Sequence, residues 1–126
     1  MVTGANSGIG RATAVLFAKH GAKVVLVARR EVEGLKVEKE IHDCGGDAIF
    51  VKADISCVDD VQNAVSLAIK KYGRIDIAFN NAGAAETPAK VTELSESEWD
   101  RVIDVNLKAP ILLTNLLLRS LKNTKG

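Results

Sequence analysis

A glycine-rich stretch near the start of the chain is the clearest candidate for chemistry. Residues 3–10 read Thr-Gly-Ala-Asn-Ser-Gly-Ile-Gly and lie between a short apolar run and a helical pattern. Because Gly4, Gly8 and Gly10 carry no Cβ atom, backbone N–H groups can close on an anion at the positive end of the helix. The spacing matches neither the G-x-G-x-x-G fingerprint nor the P-loop. Alone, the stretch is compatible with a pyrophosphate site or with an ordinary tight turn.

Short β-branched runs alternate with helical patterns along the chain, which is the βαβ signature of a parallel sheet. Strands are predicted at Met1–Thr3, Lys23–Ala28, Ala48–Lys52 and Ile75–Asn80. Helices are predicted at Ile9–His20, at Glu31–Cys44, from a cap at Ser56 to Tyr72, and from a cap at Ser95 to about Leu121. Capping boxes that pair Ser56 with Asp59 and Ser95 with Glu98 are expected to start the last two helices.

Right-handed crossovers place the strands in the order 3-2-1-4, a doubly wound parallel sheet of the α/β class. The chain changes direction between strands 1 and 4, and ligands bind at such a switch point. The loops Gly4–Gly10 and Asn80–Gly83 are therefore expected to line one crevice. Strand 4 would be an uncovered edge, so residues 1–126 are expected to be a single incomplete domain without its C-terminal strands, or to pair as a homo-oligomer.

Composition narrows the class of protein. Apolar residues make up 47% of the 126 positions, as in a globular domain. The chain has 17 basic and 16 acidic residues, and because these charges balance, no nucleic-acid or membrane partner is expected. Cys44 and Cys57 lack C-x-x-C spacing and no secretory leader precedes Thr3, which favours a cytoplasmic location. The sequence shows no cluster of histidine, cysteine and carboxylate residues, so no metal site is expected. The apolar stretch Pro110–Leu118 is too short to span a bilayer.

Four motifs together resemble the short-chain dehydrogenase/reductase family. They are Thr3-Gly4-x-x-x-Gly8-Ile9-Gly10, Asp54-Ile55, Asn80-Asn81-Ala82-Gly83 and Val105-Asn106-Leu107. They follow the family's order and spacing over nearly all of the chain. The resemblance implies a Rossmann-like fold and hydride transfer between a nicotinamide cofactor and a small carbonyl or alcohol substrate, with this chain as the cofactor-binding half.

The resemblance also assigns cofactor-binding residues. The pyrophosphate would be held by the first loop, the adenine received after the third strand, and the ribose and nicotinamide bordered after the fourth, with Thr3 bracing that last turn. The residues so assigned are Gly4, Asn6, Ser7, Gly8, Ile9, Gly10, Asp54, Ile55, Asn80, Ala82 and Gly83.

The end of the second strand bears on the choice between NADP(H) and NAD(H). A carboxylate there would accept the ribose 2′-hydroxyl of NAD, whereas an arginine would pair with the 2′-phosphate of NADP. The sequence has Ala28-Arg29-Arg30 and no acid, which favours NADP(H) over NAD(H). Against this, both arginines could be solvated strand-end charges. Ser7 also stands before the second glycine, where some family members carry a basic residue.

Asn106 is the one catalytic candidate within residues 1–126. Pro110 lacks an N–H group and cannot pair with the Asn106 carbonyl, so a kink is expected there. The resemblance implies that this carbonyl binds a water in a proton relay. The alternative is a proline-kinked packing helix with a buried amide.

The family's Tyr-x-x-x-Lys pair does not occur in residues 1–126. Tyr72 is the single tyrosine, Asp76 stands four positions after it, and we expect a structural role for it. The chain by itself is therefore expected to be inactive as a dehydrogenase. Two hypotheses remain: the cofactor-binding half of an oxidoreductase, or a dinucleotide-binding or protein-interaction module without chemistry.

Overall fold

A parallel three-stranded sheet forms the centre of the protein. The computed structural model describes residues 1–85 and 90–124. The strands are β1 (Val2–Thr3), β2 (Lys23–Ala28) and β3 (Asp47–Lys52), in the order β1-β2-β3. β2 pairs with β3 along its whole length, from Lys23 opposite Asp47 to Ala28 opposite Lys52. The predicted α/β class and the 3-2-1 part of the strand order are confirmed.

Helices follow each strand and cover both faces of the sheet. The α-helices are α1 (Gly8–Lys19), α2 (Glu31–Asp43), α3 (Val58–Tyr72), α4 (Glu96–Ile103) and α5 (Ala109–Thr124). A 3-10 turn lies at Val91–Glu93, and a π-helical segment at Asp104–Lys108 joins α4 to α5. In the described part of the chain, no helix combines the length and apolarity that a membrane span requires.

The predicted fourth strand is present in position but not as a regular strand. Phe79 forms one parallel bridge with Val2, on the side of β1 away from β2. Thr3 N donates to Phe79 O at 3.0 Å, and Phe79 N donates to Met1 O at 2.9 Å. The prediction of a strand over Ile75–Asn80 is wrong because β1 offers only two residues, which is too short a partner for a ladder.

The apolar residues of β2 pack against the helical layers on both faces of the sheet. Val24 and Leu26 pack with α1 and α2, whereas Val25 and Val27 pack with α3 and α5. Successive side chains of a strand point to opposite faces, so a strand buried on both faces must be apolar throughout. β2 is therefore fixed between the helical layers, and its carboxyl end is a rigid support for the loop that follows.

Of the two predicted capping boxes, the one at α4 is present and the one at α3 is not. At α4, Glu98 N donates to Ser95 Oγ and Ser95 N donates to Glu98 Oε2, as predicted. At α3 the prediction is wrong, because the residue before the helix is Cys57 and it makes no side-chain cap. Ser56 instead donates its hydroxyl to Asp54 Oδ1 at 2.7 Å. Asp54, two residues before Ser56, thus takes up the hydroxyl that the prediction assigned to capping the helix.

Candidate functional site

A cavity of about 490 Å³ lies at the carboxyl ends of the strands, where the sequence places a ligand. Its lining comes mostly from the loops that follow β1, β2, β3 and the 75–80 segment, with contributions from the end of β2 and from the π-helical segment. Those lining residues are Gly4, Asn6, Ser7, Val27, Ala28, Arg29, Arg30, Ala53, Asp54, Ile55, Asn81, Ala82, Gly83 and Val105. Most of the predicted site residues are therefore brought to one crevice. The predicted residues outside this lining are Gly8, Ile9, Gly10, Asn80 and Asn106.

Thr3 and Asn81 join the first loop to the loop after the 75–80 segment. The buried Thr3 Oγ1 accepts from Asn81 N at 3.0 Å and from Ala82 N at 3.1 Å. Asn81 Nδ2 donates in return to Thr3 O at 3.1 Å. The bracing role predicted for Thr3 is confirmed. Sequence reasoning missed the Asn81 side chain as a site residue, although its position directly after a strand end was a usable signal.

Gly4 and Gly10 allow the backbones of these loops to approach closely. Gly4 has φ 65°, and a Cβ there would lie 2.9 Å from Ala82 Cα. A Cβ on Gly10 would overlap the Gly4 carbonyl oxygen and lie 2.5 Å from Asn81 Nδ2. The absence of a Cβ at Gly10 is therefore needed for the packing of the two loops.

The start of α1 is open to an anion. Ser7 precedes the helix and makes no side-chain hydrogen bond to its first turn. The first N–H groups of a helix have no intrahelical acceptor, and the helix dipole favours negative charge there. Gly8 and Ile9 are exposed in this turn, so their backbone can be reached from solvent. The loop thus provides what a phosphate group requires.

Two arginines and one carboxylate set the charge of the cavity. Arg29 Nη1 lies 3.8 Å from Asp54 Oδ2, whereas Arg30 Nη2 donates to Ser7 Oγ at 2.9 Å. Partial burial acts to raise the pKa of the Asp54 carboxyl, but hydrogen bonds from the Ser56 hydroxyl and N–H and the charge of Arg29 hold it below its usual value. Asp54 is therefore a carboxylate at neutral pH and can accept a hydrogen bond from a ligand.

Asn106 lies in the π-helical segment and holds a loop through its side chain. Its Oδ1 accepts from Ala84 N at 2.9 Å and its Nδ2 donates to Ala84 O at 2.6 Å. The predicted single helix is divided here, because Ala109 N donates to Asp104 O across a widened turn one residue before Pro110. Such turns occur frequently at functional sites. Asn106 thus positions the backbone next to Gly83, at the rim of the cavity.

Asn80 is held at the α5 side of the site. Its Nδ2 donates to Thr114 Oγ1 at 3.2 Å, and its side chain is exposed.

Within the described ranges, no group of three or more His, Cys, Asp or Glu side chains could hold a metal ion.

Tyr72 is engaged in a structural contact away from the cavity. Its hydroxyl donates to Asp47 Oδ1 at 2.8 Å. Burial, this hydrogen bond and the Asp47 charge all raise the pKa of Tyr72, so the phenol stays protonated at neutral pH and is unsuited to act as a base.

We expect Tyr72→Phe to lower the free energy of unfolding by about 1 kcal/mol, because one partly exposed hydrogen bond is lost. Urea denaturation measures this change. Dinucleotide affinity should equal that of the unchanged protein. A fall in affinity would contradict the structural role.

The sheet and the cavity at its carboxyl edge define a Rossmann-like α/β protein. The sequence profile of the family described as short chain dehydrogenase matches residues 1–126. The chain belongs to this family.

Individual relatives agree with the family assignment. An uncharacterized oxidoreductase of Listeria innocua is 44% identical over 108 residues, covering 86% of this chain and 43% of the relative. A metagenomic short-chain oxidoreductase in complex with NADP superposes with a TM-score of 0.93 at 37% identity, covering 98% of this chain and 56% of that one. A 3-ketoacyl-(acyl-carrier-protein) reductase from Brucella melitensis complexed with NADH gives 0.90 at 41%, with 96% and 49% covered. The chain thus spans about half the length of the proteins it matches.

Proposed function

We propose that this chain is the cofactor-binding half of an NADP(H)-dependent oxidoreductase that moves a hydride between the nicotinamide ring and a small carbonyl or alcohol substrate. The observation that carries the proposal is the cavity of about 490 Å³, in which loops from four separate parts of the chain meet beside the open start of α1. Membership of the short-chain dehydrogenase family supports the reaction type.

The residues of the cavity fit a dinucleotide. The uncapped first turn of α1 and the loop at Gly4 suit the pyrophosphate, because they offer N–H groups to an anion without a Cβ in the way. Ala53 and Ile55 supply apolar surface for a base, and the Asp54 carboxylate between them can accept from an amino group. Asn80, Ala82 and Gly83 would border the ribose and nicotinamide.

The charge at the end of β2 favours NADP(H) over NAD(H). Arg29 and Arg30 both line the cavity, and no carboxylate stands at position 28 to accept a ribose 2′-hydroxyl. A guanidinium pairs with phosphate through charge-assisted hydrogen bonds, and its planar fork suits that geometry. The solved relatives include one complex with NADP and one with NADH, so the support for NADP(H) comes from these two side chains.

Residues 1–126 by themselves are proposed to bind the dinucleotide without turning over a substrate. They contain no Tyr-x-x-x-Lys pair, and Tyr72 is hydrogen bonded to Asp47. Asn106 is proposed to take part in proton transfer through its main-chain carbonyl, since its side chain is engaged with Ala84. Chain pairing to a homo-oligomer and a cytoplasmic location complete the proposal.

Fluorescence titration of the intact protein with NADPH and with NADH tests this function. We expect saturable binding of both nucleotides, with NADPH bound about tenfold more tightly, because one charge-assisted phosphate contact contributes on the order of 1.4 kcal/mol or more. The double variant Arg29→Ala/Arg30→Ala should reduce this preference to about one. Arg74→Ala is the matched control, because Arg74 pairs with Asp76 outside the cavity.

Absence of saturable binding of either nucleotide to the folded protein would reject the proposed function. Equal affinities of the unchanged protein for NADPH and NADH would reject only the preference for NADP(H).

A further inference from the structure

Arg30 is an exposed residue of the cavity lining, and its guanidinium is hydrogen bonded to the first loop. Its Nη2 donates to Ser7 Oγ at 2.9 Å. With the Asn6 amide oxygen turned towards it, Arg30 Nε and Nη2 donate to that oxygen at 2.7 and 2.8 Å. The three side chains therefore form one hydrogen-bonded cluster, which we call the Asn6–Ser7–Arg30 cluster.

The cluster lies at the starts of two helices. Ser7 directly precedes α1 and Arg30 directly precedes α2, both with extended backbone. Neither side chain caps its own helix, although serine at this position commonly does so. The Ser7 hydroxyl is used for Arg30 instead. The guanidinium is thus held where two helix dipoles both favour an anion.

Part of the Arg30 guanidinium is left for a ligand. A guanidinium has five N–H donors, and the cluster uses the one on Nε and those of Nη2. Among the described residues, no hydrogen bond from Nη1 is seen, so its two N–H groups can donate to an oxygen atom of a ligand. The neighbouring acid Glu31 is paired with Lys52 at 3.1 Å, which keeps it from neutralising Arg30.

Arg29 is held far less firmly. Its side chain is 62% exposed, and its contact with Asp54 at 3.8 Å is too long for a hydrogen bond. Binding through Arg29 would require ordering a flexible side chain, which costs about 0.5–1.5 kcal/mol. The Arg30 side chain has already lost that freedom on folding.

We infer that Asn6 and Ser7 are positioning residues that hold Arg30 ready for the ribose 2′-phosphate, and so set the preference for NADP(H) through Arg30 rather than Arg29. This inference rests on the proposed function. It also accounts for Ser7 at the position before the second glycine: the positive charge there is supplied by a residue 23 positions later.

The test measures the ratio of NADPH to NADH affinity in variants of the intact protein. Ser7→Ala removes one hydrogen bond to a charged group and should lower the ratio about five- to tenfold. Ser7→Thr keeps the hydroxyl in an extended backbone and should restore the ratio. Arg29→Ala should change it less than Ser7→Ala does. Ser66→Ala, an exposed serine on α3, is the matched control.

The ratio of NADPH to NADH affinity distinguishes a positioning role from a general defect of the loop, because a distorted loop weakens the binding of both nucleotides equally. An unchanged ratio in Ser7→Ala with both nucleotides still bound would overturn the inference and leave the proposed function intact. A ratio that falls with Arg29→Ala but not with Ser7→Ala would overturn it as well. Failure of the unchanged protein to bind either nucleotide would reject the proposed function itself.

Discussion

Gly10→Ala is expected to destabilise the protein by about 2 kcal/mol and to weaken dinucleotide binding at least tenfold. The new Cβ would overlap the Gly4 carbonyl oxygen, which belongs to the backbone and cannot rotate away. Its other neighbour, Asn81 Nδ2 at 2.5 Å, is tied to Thr3 O. Overpacking costs about 1–3 kcal/mol, and overlap with backbone lies at the upper end of this range. Alanine is favoured over glycine in a helix by about 1 kcal/mol, which leaves a net loss of about 2 kcal/mol.

The effect on binding follows from where the clash lies. Relief of the overlap must move either α1 or the Gly4 turn, and these are the two parts that bring N–H groups to the cavity. Urea denaturation and NADPH titration of the same variant measure both consequences.

Gly21→Ala is the control for Gly10→Ala. Gly21 has φ 83°, and no atom lies within 4 Å of the position that a Cβ would take, so the substitution adds backbone strain of about 1–2 kcal/mol without overlap. It lies at the other end of α1, away from the cavity, and should leave NADPH affinity unchanged. If Gly10→Ala keeps both its stability and its affinity, the close approach of the two loops is wrong.

Features governed by local pattern were predictable from the sequence. β2 was predicted with its observed bounds, because the five residues after Lys23 are all apolar, as a strand buried on both faces requires. The cavity followed from connection handedness and the switch point, which need only the order of strands and helices.

Features governed by distant partners were not predictable. The 75–80 segment has a strand-like sequence, yet its pairing is limited by the length of β1, more than 70 residues earlier. The side-chain role of Asn81 depends on Thr3, and that of Ser7 on Arg30. In each case the competing partner becomes visible only once the loops are placed together.

Thr3→Val is expected to lower the free energy of unfolding by about 2 kcal/mol, although valine has nearly the same shape. Thr3 is 2% exposed, and its Oγ1 accepts from the N–H groups of Asn81 and Ala82. Asn81 N also donates to Phe79 O, so it keeps a partner. Ala82 is half-buried and its N–H has no second acceptor among the described residues, so the loss of its partner costs up to about 1–3 kcal/mol.

The loss should be concentrated in the loop that borders the proposed nicotinamide site. Amide hydrogen exchange at Ala82 should be faster in Thr3→Val, and NADPH affinity should fall with it. Thr3→Ser is the comparison, because it keeps the acceptor and removes one methyl group, at a cost of about 1 kcal/mol. Slow exchange at Ala82 in the valine variant, or fast exchange in the serine variant, would show that the Thr3 hydroxyl does not hold this loop. Slow exchange in serine and fast exchange in valine would assign the order of the loop to one oxygen atom at the end of β1.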